Sequence, residues 1–205
     1  MVYVHSYAGE DSLAIVDAGG ESWPQKLVSG EDFYMQPAWH PDGSRLAWIA
    51  WNHPDMPWDG TWLRMANLEW DGRGLPTLGE ARTLGGRAGE VSAFQPAFSP
   101  DGRYLAYVSD ETGWWQIYLY DLQTGEHRML TSADAEHGIP AWMQGRRTYG
   151  FSPTGERIYF LRIQNARVGL WSIDVPGGEE RKLDLGPEYS ALEQIAVAPH
   201  KDRAG

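Results

Sequence analysis

The sequence contains no cysteine, which removes disulfide frameworks and thiolate metal sites and leaves the redox compartment open. No apolar run comes near the roughly 18 residues of a membrane-spanning helix. Basic residues are scarce: 17 Lys and Arg stand against 28 Asp and Glu, a formal charge of −11. Nucleic-acid backbones and anionic membranes both reward clustered cations, so neither is expected as a partner. An amine-bearing ligand suits this charge, although a solvated acidic surface needs no ligand at all. The opening MVYVHSYAGE has neither a basic n-region nor an apolar h-region, so the chain reads as cytoplasmic or as cut from something longer.

Catalytic and metal motifs are missing too. A serine hydrolase of the α/β type needs a G-x-S-x-G elbow, which holds the serine on a strained strand-to-helix turn. Gly20-Glu21-Ser22-Trp23-Pro24 and Gly150-Phe151-Ser152-Pro153-Thr154 each match half of it. His5, His40, His53, His127, His137 and His200 show no H-E-x-x-H spacing, so no metal is expected. The glycine-rich stretches at 71–74 and 85–89 lack both the P-loop lysine and dinucleotide-binding spacing; they read as loops, and no cofactor is expected.

What the chain has in quantity is aromatic residues and turn formers: 11 Trp, 10 Tyr and 5 Phe, with 24 Gly and 13 Pro. They fall into a repeat. QPAFSPDGRYLAYVSD at 95–110 is preceded by QPAWHPDGSRLAWIAW at 36–51 and followed by TYGFSPTGERIYFLRI at 148–163. In each, Pro pre-sets φ at the second turn position and Gly takes the positive φ that closes a hairpin. Asp42 and Asp101 are 59 residues apart, and Asp101 and Thr154 are 53 apart. Periods on the order of 40–50 residues with several short strands belong to propeller blades.

Alternation of apolar and polar residues then fills in the strands. Hairpin strands at 2–7 and 13–18 and a third at 25–30 make a blade without its inner strand. Complete blades follow over 36–86, 94–131 and 139–186, and 192–199 reads as one further inner strand. The expected fold is all-β, a β-propeller of four-stranded antiparallel blades, about four in this chain. Residues 190–200 are expected to complete the blade of residues 1–30 by pairing 195–198 with 2–7. The rival is an open half-ring that dimerises.

SPDGRYLAYVSDETGWWQIYLYD, with HPDGSRLAWIAWNHPDMPWDGTWL before it and SADAEHGIPAW after it, resembles the β-propeller of the prolyl oligopeptidase family of serine peptidases, in its acylaminoacyl-peptidase and dipeptidyl-aminopeptidase branch. The resemblance implies a non-catalytic cap that restricts which peptides reach a serine on an α/β-hydrolase domain. It makes that hydrolase domain and a peptide substrate the expected partners. This chain has fewer blades than the usual seven or eight and no hydrolase domain. The PDG turns are shared with TolB-type propellers, and a free-standing TolB-like binding or scaffold propeller is the alternative.

In an up-and-down blade the loops opposite the PDG turns share one end, which gathers 52–60, 110–113, 132–138 and 164–167. NHPDMPWDG carries His53, Asp55, Met56, Trp58 and Asp59, apolar anchors mixed with acids that suit a partner domain or a peptide. Self-packing of Met56 and Trp58 over the blade is the competing reading. Glu136 and His137 are candidates to meet a substrate amine, against the plainer reading of exposed loop residues.

Overall fold

The computed structural model describes residues 1–70, 72, 74–186, 189 and 191–198. Pro199 and His200, at the end of the expected closing segment, and two positions of the first glycine-rich loop, Asp71 and Arg73, lie outside them. The described residues form strands, turns and bends without a helix, and group into two compact units, one ending at Pro96 and the other starting at Ala97.

The first unit holds two antiparallel sheets. One is β1 (Val2–Tyr7), β2 (Glu10–Ile15) and β3 (Gln25–Val28), in that order. The other runs β4 (Phe33–Trp39), β5 (Arg45–Trp51), β6 (Trp62–Glu69) and β7 (Thr77–Leu78), with β8 (Arg82–Gly85) also pairing β6. Apolar residues alternate on facing sides, so Leu13, Tyr34, Leu46, Trp48, Ala66 and Leu68 form one core on which Val2, Val4, Leu27 and Val28 pack. Burying side chains of this size contributes roughly 1.5–3 kcal/mol each.

Two sheets follow. One is ordered β12-β11-β10-β9, from β9 (Ala93–Phe98), β10 (Tyr104–Ser109), β11 (Gln116–Asp121) and β12 (His127–Met129). The last is β13 (Tyr149–Phe151), β14 (Arg157–Gln164), β15 (Arg167–Asp174) and β16 (Arg181–Lys182). β14 and β15 meet over a two-residue turn in which Asn165 and Ala166 both have positive φ, 51° and 58°, the backbone twist that tight hairpins favour.

The repeated turns form as their chemistry dictates. Gly43, Gly102 and Gly155 have φ of 75°, 73° and 76°, and their N–H groups donate to the carbonyls of His40, Ser99 and Ser152. Ser99 Oγ donates to Asp101 Oδ1 and accepts from Tyr104 N, and Ser152 Oγ accepts from Arg157 N. Ser152 is therefore a turn residue.

Strand expectations change in several places. The second hairpin strand, expected over 13–18, runs over Glu10–Ile15, because the turn before it is only Ala8 and Gly9. β7 is additional: a stretch rich in turn formers carries Thr77 and Leu78 back onto Glu69 and Leu68. The strands of the blade expected over 139–186 end at Lys182, and Asp184 Oδ1 then accepts from Gly186 N, which curls the chain. Residues 192–198 have no strand ladder. Ile195 N donates to Arg147 O, and Val197 lies against Gly150.

Candidate functional site

In the first unit the loop 52–60 is built on a packed base. A Cβ on Gly60 would lie 2.3 Å from Gly89 N and 2.5 Å from Arg87 O, so only glycine lets these backbones approach. Pro57 is buried and its carbonyl accepts from Ser92 Oγ at 2.8 Å, while Thr61 N donates to Val91 O. Within the loop Asp59 and Met56 clamp each other: Met56 N donates to Asp59 Oδ2, and Asp59 N to Met56 O, both at 2.9 Å. Trp58 and Asp55 are half-buried. Met56 is 47% exposed, and His53 and Asp59 also face solvent. The base of the loop is self-packed and its tip presents His53 and Met56.

His53 lines a cavity of about 490 Å³ together with Glu10, Asp11, Glu31, Asp32, Phe33 and Lys26. Three connections build it: the β1–β2 turn, the β3–β4 link and the 52–60 loop. Asp32 Oδ2 accepts from His53 N and Asp32 N donates to Asn52 Oδ1, which ties the link to the loop. Glu31 is held by Tyr34 OH at 2.7 Å and by Arg64 Nη2 at 3.2 Å, and Arg64 also donates to Thr83 Oγ1. Burial, then the bond to Glu31, raises the Tyr34 phenol above its ordinary range, so it stays a donor. Glu31 has a guanidinium partner, and Phe33, stacked on Trp51 at 5.1 Å, gives the cavity an aromatic wall. Such a surface can take an amine or guanidinium beside an apolar group. Sequence reasoning singled out only His53 here. Glu10 and Asp11 open β2 while Glu31 and Asp32 lie in the β3–β4 link, and the strand order could have found them.

In the second unit Glu136 and His137 sit together but do not face outward. His137 is 1% exposed, where the sequence suggested an exposed loop residue. The chain turns inward there because Glu136 N and O bridge to Ile163, and His137 N donates to Trp115 O. Gly138 packs against Trp115, where an added Cβ would sit 3.1 Å from the tryptophan Cβ. Glu136 Oε2 accepts from Trp115 N at 2.9 Å. Arg162 Nε donates to His137 Nε2 at 3.0 Å, and the guanidinium is also paired with Glu180. Burial, then Arg162, pushes His137 down to about 4, so the ring is neutral at neutral pH. Among the described residues no three His, Asp or Glu side chains are grouped as metal ligands.

Antiparallel sheets repeating on the PDG-type turn define the class: these are blades of a β-propeller. The family model of the dipeptidyl peptidase IV (DPP IV) N-terminal region matches residues 89–196, more than half of the chain. The chain belongs to that family and is propeller of the prolyl oligopeptidase-family peptidases. It is 26% identical over 188 residues to dipeptidyl-peptidase 5 of Porphyromonas gingivalis, covering 85% of this chain and 24% of that protein. A puromycin-hydrolyzing peptidase of Mycobacterium tuberculosis is 30% identical with a TM-score of 0.74, over 92% of this chain and 28% of that one. A putative TolB from Agrobacterium tumefaciens shares the fold, at 17% identity and a TM-score of 0.55, over 85% of this chain and 57% of that one. The chain thus spans about a quarter of the length of the peptidases it matches.

Proposed function

We propose that this propeller selects substrates for a serine peptidase, an α/β-hydrolase domain supplying the nucleophile and the propeller controlling which peptides arrive. Membership of a peptidase propeller family supports this over a free-standing TolB-like scaffold. The single observation that carries it is the cavity of His53, Glu10, Asp11, Glu31 and Asp32, whose carboxylates suit the amino terminus of a peptide and whose Phe33 wall suits an apolar side chain beside it. Such a site sorts peptides by their free amine before chemistry begins.

Calorimetric titration of the 205-residue protein with short peptides tests this. Peptides with a free amino terminus bind, their N-acetylated counterparts bind at least roughly tenfold more weakly, about 1.4 kcal/mol, and the double change Glu10→Gln with Asp11→Asn abolishes the preference. Equal binding of the two peptide forms, or none of either, overturns it.

A further inference from the structure

We infer that His137 is a proton-sensitive latch in the second unit: a proton added at its Nε2 releases the connection 132–138 and the adjoining turn 110–115 from β14. This adds an acid response to the substrate-selecting reading and stands whether or not a peptide binds.

The geometry admits one protonation state. Nδ1 lies 3.0 Å from the Trp115 carbonyl oxygen, which can only accept, so Nδ1 carries the hydrogen. Nε2 lies 3.0 Å from Arg162 Nε, and a guanidinium has no acceptor, so Nε2 must offer its lone pair. Both bonds exist together only in the neutral ring protonated at Nδ1. A second proton has to enter at Nε2, directly opposite a guanidinium N–H, on a ring that is almost wholly buried.

The neighbouring charges sharpen the response. Arg162 is 6% exposed and lies over Trp171 at 4.1 Å, so it has little room to retreat. Arg146 lines a cavity of about 200 Å³ that the ring also lines. Of the nearby carboxylates, Glu180 is engaged by Arg162, Glu136 accepts from Trp115 N, and Glu193 lines that same cavity. What hangs on the ring is backbone. The Trp115 carbonyl accepts from both His137 N and Nδ1, Thr148 Oγ1 donates to His137 O, and the Glu136–Ile163 bridge is the next residue along. Expelling the imidazole strips these connections while the β10–β11 and β14–β15 ladders keep their own bonds.

The test is hydrogen exchange on the 205-residue chain across a pH series, corrected for intrinsic rates, with nitrogen NMR of the imidazole. At neutral pH the ring shows the Nδ1–H form. In acid, amides of 110–115 and 132–138 lose protection by roughly tenfold per pH unit as the pH falls from the ordinary imidazole range towards the depressed value of the buried ring, about 4, while β10, β11 and β15 hold. His137→Gln, which keeps an acceptor near Arg162 and cannot gain a proton, shows no such step. The same local loss in His137→Gln, no local loss in the native chain, or an Nε2–H or doubly protonated ring at neutral pH overturns the latch. If His137→Gln does not fold, the native chain decides alone: local opening that fails to track the protonation of His137 rejects it.

Discussion

The side-chain oxygen of Gln36 accepts the backbone N–H of Gln95 at 2.6 Å, joining residues 59 apart in sequence. Both glutamines are buried and both have positive φ, 52° and 57°. They hold the same place in the repeat, two residues before the alanine of Gln-Pro-Ala. At the first of them the β4–β5 register shifts between Met35 and Ala38. An extra residue in a strand takes up such a conformation and turns its amide aside.

Gln36→Leu keeps the volume and removes that acceptor. It is expected to cost about 1–3 kcal/mol, the penalty of a buried N–H that loses its partner, read from urea unfolding. A change within experimental error would mean that Gln95 N finds water or another acceptor at no cost.

Gly60→Ala is expected to be among the more damaging single substitutions in the first unit. The added Cβ meets backbone at 2.3 and 2.5 Å, which cannot rotate away. Overpacking of this kind costs about 1–3 kcal/mol or more. Gly9→Ala, with nothing within 4 Å of its Cβ but a φ of 84°, is the comparison. It should lose only about 1 kcal/mol from backbone conformation, and the two melting temperatures should differ accordingly.

The tip and the base of the 52–60 loop should separate cleanly. Met56→Ser changes an exposed side chain and is expected to stay within about 0.5 kcal/mol of the parent. Asp59→Ala removes the carboxylate that accepts from Met56 N and should cost about 1 kcal/mol, as for a lost cap. A larger loss for Met56→Ser than for Asp59→Ala would reverse the assignment of tip and base.

Acid should act on the turns in a lower window than on His137. Hydrogen bonds from Ser44, side chain and backbone, and then His40 hold the Asp42 carboxyl down to about 2. Asp101 and Asp121 are lowered as well; at Asp101 the bonds from Ser99 and Arg103 outweigh the opposing effect of burial. Folded Asp42 thus takes its proton at a lower pH than the unfolded chain does. Its contribution is complete above about pH 4 and drains away towards pH 2. Buried neutral His137 behaves differently: the unfolded chain protonates first near 6.5, so stability falls as the pH drops from there to about 4. Thermal melts from neutral pH to pH 2 should show both limbs. Asp42→Asn should flatten the lower one alone, and a flattened upper limb would contradict the assignment.

Much of the fold was legible because a Pro and a Gly at fixed offsets leave the chain few alternatives. The turns at 40–43, 99–102 and 152–155 therefore marked three hairpins. β7 was not legible, since Thr77 and Leu78 pair through a register set by Glu69 and Leu68, which no local pattern announces. The segment 192–198 alternates like a strand, yet alternation says nothing about whether a neighbouring strand offers its hydrogen bonds. At the site, His53 was visible as a polar residue in a long loop. Asp32, which receives its N–H, lies 21 residues earlier. The inward turn of His137 depends on Trp115 and Arg162, so its burial was invisible one residue at a time.

The contact between Gly60 and Gly89 also divides the loop mechanically. From Pro57 onward the chain is clamped to its neighbours, whereas Pro54 and Met56 project from a mount that stays put when they change. Sequence drift or deliberate grafting can therefore re-dress the tip, in length as well as chemistry, without renegotiating the sheet beneath, and related chains should vary most at these positions.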